Sequence, residues 1–230
     1  ASIFELDHLR KPWNYLDTLS RRPEPFHTDE VRGMGYDEHM RHAFLDHFIS
    51  PETSLEEFAS SSYQELGDFL EGSFSVIDLD KDHATITLRR EGSVKVGRRP
   101  VPLAIEKTYT FGRSGFSVSY LLRNDDTRDL TIRFAPEVNI SFRSSEVEDL
   151  RIAVRERGNK PSEISSGQRT IEGALELLFN DLYNGASVSL SPDGKADFWS
   201  FPVYSWGNGP RGLTAYYSSN CLVGLYDVGL

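Results

Sequence analysis

Residues 115–123, GFSVSYLLR, and residues 129–143, DLTIRFAPEVNISFR, decide the fold. In the first, Phe116, Val118, Tyr120 and Leu122 fall on one face, and Ser117, Ser119 and Arg123 on the other. In the second, Leu130, Ile132, Phe134, Val138, Ile140 and Phe142 keep one phase, and Thr131, Arg133, Glu137, Asn139, Ser141 and Arg143 take the other. Alternation with a period of two marks half-buried antiparallel strands. ATITLRR (84–90), LAIEKTYTF (103–111), ASVSLS (186–191) and LTAYY (213–217) read the same way. Turn chemistry separates them: LDKDH, GRSG, NDDTRD and SPDG. Ten or more such strands predict an all-β fold, a large antiparallel sandwich.

Helix is sparse, one or two short pieces. SPETSLEEFAS (50–60) has Ser or Thr before Leu55 and then Glu56 and Glu57, which predicts a capped helix of two or three turns. Residues 7–37 carry Pro12, Pro23 and Pro25 and read as irregular chain wrapping the sandwich. No internal repeat or linker breaks the sequence, so residues 1–230 read as one domain.

The chain has 230 residues, 38% hydrophobic and 12% aromatic, which is globular composition. A formal net charge of -10 makes it a poor partner for nucleic acid or an anionic membrane. ALELLF (174–179), among the most apolar runs, is too short to span a bilayer. One cysteine, Cys221, excludes an intrachain disulfide and fits a reducing compartment. The opening residues are read as lacking a signal peptide, as an expectation only. The expectation is a cytoplasmic location, and an excised or processed piece of a longer chain.

EHMRHAFLDHF (38–48) gathers His39, His42 and His47 with Asp46. A zinc-protease helix needs His-Glu-x-x-His, and His39 and His42 are three apart without the glutamate. The favoured reading is a buried polar network, with no metal and no cofactor. On a helix, His42 and Asp46 could pair. DLDKDH (78–83) alternates Asp78, Asp80 and Asp82 like the start of a calcium loop, but His83 and Arg89 stand where glycine and glutamate belong. It reads as a hairpin turn.

Glu137, Asn139, Ser141 and Arg143 could hydrogen-bond sugar hydroxyls or face solvent or another domain. Tyr204 and Trp206 share a face if their strand continues, and such aromatic faces stack on pyranose rings. Trp199 reads as core. Glycoside cleavage needs two carboxyl groups at a set separation, and the sequence singles out no pair. No Ser–His–Asp elbow, phosphate loop or dinucleotide fingerprint occurs.

SIFELDHLRKPWNYLDTLSRRPEPFH (2–27) resembles the opening of the C-terminal domain in family-fifty-seven glycoside hydrolases, the 4-α-glucanotransferases and related α-amylases. It carries Phe4, Glu5, Leu6 and Asp7, then Asn14, Leu16, Thr18, Leu19, Arg21, Arg22 and Glu24. Asp17 departs from an expected Asn. Arg41 and Phe44 to Phe48 resemble the family's Asp-His-Phe segment, and YQELGDF, LRREGSV, FAPEVNISF and FWSFPVYS follow in order. Val138 replaces Phe, and after Ser205 the expected Glu-Gly-Gly-Phe turn is missing.

The resemblance implies a twisted β-supersandwich like that of galactose mutarotases. It implies a parent enzyme acting on α-1,4-glucans, with its nucleophilic Glu and acid–base Asp in an N-terminal barrel that this chain lacks. The partners would be that barrel and α-glucan. Arg41, His42, Asp46 and His47 would form a structural network or line the seam with the barrel, and Tyr204, Trp206, Glu137 and Asn139 would contact carbohydrate. The alternatives are a stand-alone carbohydrate-binding module, or an aldose epimerase pairing Glu137 with His42, His47 or His83.

Overall fold

The computed structural model describes residues 39–143, 145, 149–156, 160–209 and 212–230. The proline-bearing stretch 7–37 and the family-like opening at 2–27 lie outside the described residues. The described residues form thirteen strands and one short helix. The strand pairings described are antiparallel, so the fold is the all-β sandwich class that the alternation predicts. No helix among the described residues is long and apolar enough to cross a membrane.

The chain divides into two compact units. One holds the described residues up to Leu45, Ser54–Tyr63 and Pro136–Leu225; the other holds Asp46–Thr53, Gln64–Ala135 and Tyr226–Leu230. Strands β1 (Ala43–Ile49), β6 (Thr131–Ile140) and β13 (Gly212–Gly229) contribute residues to both. They belong to a five-stranded sheet with β9 (Arg169–Ala174) and β12 (Ala196–Gly209), in the order β1-β6-β13-β12-β9.

The second unit contains the sheet β2-β3-β4-β5, built from Ser75–Asp80, Thr85–Val96, Arg99–Phe111 and Phe116–Asn124. Its turns use the expected residues. Asp80 accepts from the backbone N–H groups of Asp82 and His83 at 2.9 and 3.0 Å and meets His83 Nδ1 at 2.6 Å. DLDKDH is therefore a hairpin turn. Gly97, between β3 and β4, takes φ 64°, a conformation that favours glycine. Phe48, Phe69, Val94, Leu103, Ile105, Leu130, Ile132 and Phe134 form this unit's core. Phe48 sits 5.3 Å from both Phe69 and Phe134, ring centre to ring centre. Gly67 lies so close beneath it that an added Cβ would come within 2.8 Å of the ring.

The first unit contains the sheet β11-β10-β7-β8, made of Ala186–Leu190, Glu176–Asp181, Leu150–Arg155 and Ser162–Ile164. It also holds α1 (Leu55–Ala59), which starts as expected. Ser54 Oγ accepts from Glu57 N at 3.2 Å, and Glu57 accepts from Ser54 N at 2.8 Å. The helix is only five residues long, shorter than the expected two or three turns. The serine run after it explains the difference. Ser60 Oγ donates to Glu56 O at 2.7 Å, and Ser61 takes a left-handed φ of 55°. Phe58 packs on Tyr63 and against Trp199 and Phe201, at ring separations of 4.6, 5.5 and 6.3 Å. Trp199 is therefore a core residue, as expected.

Strand β6 departs from simple alternation. It buries Ile132 and Phe134 on one phase, then Ala135 and Glu137 on the other. It lies between β1 and β13, an interior position where both faces can be covered. Glu137 therefore sits inside the protein and not on a solvated face.

Candidate functional site

Glu137 anchors a buried polar cluster in the first unit. Its carboxylate has no exposed surface and receives Arg41 Nη1 at 3.3 Å. Asn139, two residues on, donates to the same oxygen at 2.5 Å and to the carbonyl of His42 at 3.0 Å. His39 Nε2 stands 3.6 Å from the other carboxylate oxygen. Arg41 also donates to Cys221 Sγ at 3.6 Å and lies over the Phe201 ring, 5.5 Å from its centre. The bidentate-capable guanidinium and the amide suit a buried carboxylate, which needs both charge and donors. His39 and Glu137 are metal-ligating types, but here the positive charge beside the carboxylate comes from Arg41. The cluster holds the segment before β1 against β6.

A second buried pair lies in the other unit. Lys107 Nζ and Asp46 Oδ2 are 2.6 Å apart, and both side chains are almost wholly buried. The ammonium also faces the rings of Phe74 at 4.5 Å and Tyr120 at 5.6 Å. Burial pushes the Asp46 carboxyl up to about 6 against the attraction of Lys107, and burial holds the Lys107 ammonium below its usual range. The neighbouring Tyr109 phenol is pushed up to about 12, by burial first and the Asp46 charge second. The spacing of His42 and Asp46 would allow a pair only on a helix. Residues 43–49 are a strand, where four residues span roughly 13 Å. His47, fully buried, instead meets Glu65 Oε2 at 2.9 Å. Glu65 also caps the backbone N–H groups of Phe48 and Gly67 at 2.8 and 3.0 Å.

Lys107 and Glu65 were missed from the sequence. Lys107 did carry a signal: in LAIEKTYTF it occupies the apolar phase of Leu103, Ile105 and Tyr109. A cation on the inward phase of a strand needs a buried partner. Glu65 carried none.

The aromatic candidates lie apart from both clusters in sequence, on β12 and β13. Tyr204 is 45% exposed, and its hydroxyl is 3.2 Å from Ser145 Oγ. Its ring meets Tyr217 edge-on at 6.2 Å. The strand does continue, and Trp206 pairs through its backbone with Ala215 as Tyr204 pairs with Tyr217. The Trp206 side chain lies outside the described part of the structure. Nearby in the chain, Tyr216 is exposed. A half-exposed ring with an anchored hydroxyl can stack on a sugar face and also hydrogen-bond.

The described residues thus form an all-β architecture of antiparallel sheets, and the two buried clusters show no solvent-facing carboxylate pair. The family described as alpha-amylase/4-alpha-glucanotransferase, C-terminal, matches residues 1–34 and 28–212. The chain belongs to that family. A 4-alpha-glucanotransferase of Thermococcus kodakarensis is 31% identical over 229 residues, covering 88% of this chain and 30% of the relative. An alpha-amylase of Pyrococcus horikoshii is 29% identical, covering 88% of this chain and 28% of the relative. The crystal structure of 4-alpha-glucanotransferase from Thermococcus litoralis shares the fold, with a TM-score of 0.71 at 23% identity over 94% of this chain and 29% of that one. The chain thus spans about 30% of the length of these relatives.

Proposed function

We propose that this chain is the accessory, non-catalytic part of a longer enzyme that processes α-1,4-glucan, a glucanotransferase or an amylase, and that it supports a catalytic barrel. The observation that carries this reading is the family match along most of the chain, set against relatives about three times as long. The burial of the charged clusters agrees with it. Glycoside chemistry needs two carboxyl groups facing one sugar, and Glu137 and Asp46 are both enclosed and matched to cations of this chain. The same enclosure argues against an epimerase built on Glu137, since no sugar ring reaches a fully buried carboxylate. A cytoplasmic location fits a buried thiol at Cys221. The test is product analysis of this chain beside its longer parent on a maltooligosaccharide, with new chain lengths expected from the parent alone.

Glucan contact at the aromatic strand is a second reading, favoured by the half-exposed Tyr204 ring. Calorimetric titration with a long maltooligosaccharide tests it. Weak binding is expected, with Tyr204→Ala and Trp206→Ala each lowering affinity at least about tenfold, the loss of one stacked ring. Binding unchanged by both substitutions would reject this strand as the contact. No binding at millimolar sugar would leave the accessory role purely structural.

A further inference from the structure

The hairpin between β10 and β11 carries an aromatic ring at its tip. Tyr183 lies in the turn 182–185 and is 62% exposed. The turn is fixed from within. The Asp181 carboxylate accepts from the backbone N–H of Asn184 at 2.9 Å and from its side-chain amide at 2.7 Å, and Gly185 takes φ 62°. Leu182 N–H donates to the carbonyl of Asp149 at 2.8 Å, which ties the turn to the chain entering β7. The ring is also held from outside the hairpin. The Arg143 guanidinium lies over it, 3.7 Å from its centre, and occupies one face. With more than half of the residue exposed, the other face is open to solvent. Arg143 is itself anchored through its neighbour, because the Phe142 ring stacks on the fully buried Phe179 at 5.6 Å. The same short stretch holds the half-exposed ring on β12. Ser145, two residues past Arg143, meets the Tyr204 hydroxyl at 3.2 Å. Two residues of backbone span at most about 7 Å, so both rings are gathered around one piece of chain, inside the first unit.

We propose that Tyr183, backed by Arg143, is a stacking platform for α-1,4-glucan beside the one at Tyr204; the inference rests on the glucan-contact reading above. A sugar ring presents C–H groups that pack on an aromatic face, and a rim of hydroxyls that need donors and acceptors. Tyr183 supplies the open face, and the exposed Arg143 and Asn184 stand beside it as donors. The guanidinium and the fixed turn already restrict the ring, so little freedom is left to lose on binding. Two platforms that engage one glucan reinforce each other, because the second contact forms at the effective concentration set by the first.

Calorimetric titration of the 230-residue chain with maltoheptaose tests the inference. Tyr183→Ala should lower the affinity about tenfold, the loss of one stacked ring. Tyr183→Phe keeps the flat face and should bind as the native chain does, and Tyr183→Leu, which keeps apolar bulk without the flat face, should behave like Tyr183→Ala. Tyr183 is exposed at a turn, so all three variants should keep the native denaturant midpoint, and a loss of affinity then reports the ring and not the fold. Tyr204→Ala is titrated alongside. Affinity lowered by Tyr204→Ala and untouched by Tyr183→Ala would overturn the inference and leave the contact at the β12 strand. Affinity lowered by Tyr183→Ala and untouched by Tyr204→Ala would support the Tyr183 platform and sink the Tyr204 contact. Equal losses in Tyr183→Phe and Tyr183→Ala would overturn stacking as the mode of binding. No binding at millimolar maltoheptaose would overturn both.

Discussion

Glu137→Ala should lower the unfolding free energy by about 3–5 kcal/mol, the range for breaking a buried ion pair by removing one partner. The substitution takes away the carboxylate that Arg41 faces at 3.3 Å and the acceptor that orients Asn139 at 2.5 Å. The guanidinium stays enclosed, with only 2% of its side chain exposed, so water cannot replace the lost oxygen without opening the structure. Asn139 also grips the carbonyl of His42, so the entry to β1 should loosen together with β6. Glu137→Gln should cost less, because it keeps an acceptor oxygen while removing the charge. The double variant Glu137→Leu with Arg41→Met should recover much of the loss, since an apolar pair of similar volume removes both desolvation penalties. Denaturant midpoints measure all three. A loss below about 1 kcal/mol for Glu137→Ala, the level of an exposed pair, would show that the cluster is not structural.

The second large effect is in pH. Asp46 has its carboxyl raised from 3.8 to about 6 because burial outweighs the attraction of Lys107. Between those values the folded protein binds more protons than the unfolded chain. Unfolding free energy therefore falls as pH rises through this window, by about 3 kcal/mol for two units of separation. Asp227, Asp80 and Asp181 have carboxyls held below the ordinary value by hydrogen bonds, so they act with the opposite sign, losing stability as pH falls. Comparison with Asp46→Asn isolates the effect. The variant should gain on the native protein steadily from about pH 4 to pH 6 and hold a constant difference above. A difference that does not change with pH would mean that Asp46 ionises as it does in the unfolded chain. Lys107, with its ammonium lowered by burial, acts in the alkaline range, where stability rises with pH up to its unfolded value.

The strands were legible because the period of two runs long and clean through Phe116 to Leu122 and Leu130 to Phe134, and the turns carry glycine and aspartate where φ or a side-chain cap requires them. The alternation also hid the site. It put Glu137 on the polar phase of β6, and only the strand's place between two neighbours buries that phase. The sequence offered the histidine cluster as a structural network or a domain seam, and it did not give the partners. Arg41 meets Glu137 across 96 residues, and His47 meets Glu65 across 18, pairings that no local spacing encodes. His42 and Asp46 misled because spacing of four means contact only on a helix. The helix itself was signalled by Ser54 and Glu57 at its start, while its early end came from Ser60 taking the carbonyl of Glu56.

The most direct measurement is chromatography of the products formed from a pure maltooligosaccharide by this chain and by the longer enzyme at equal molar concentration. The account predicts a ladder of shorter or longer glucans from the longer enzyme and unchanged substrate from this chain. A ladder from this chain alone, lost on substitution of one of its own carboxylates, would contradict it.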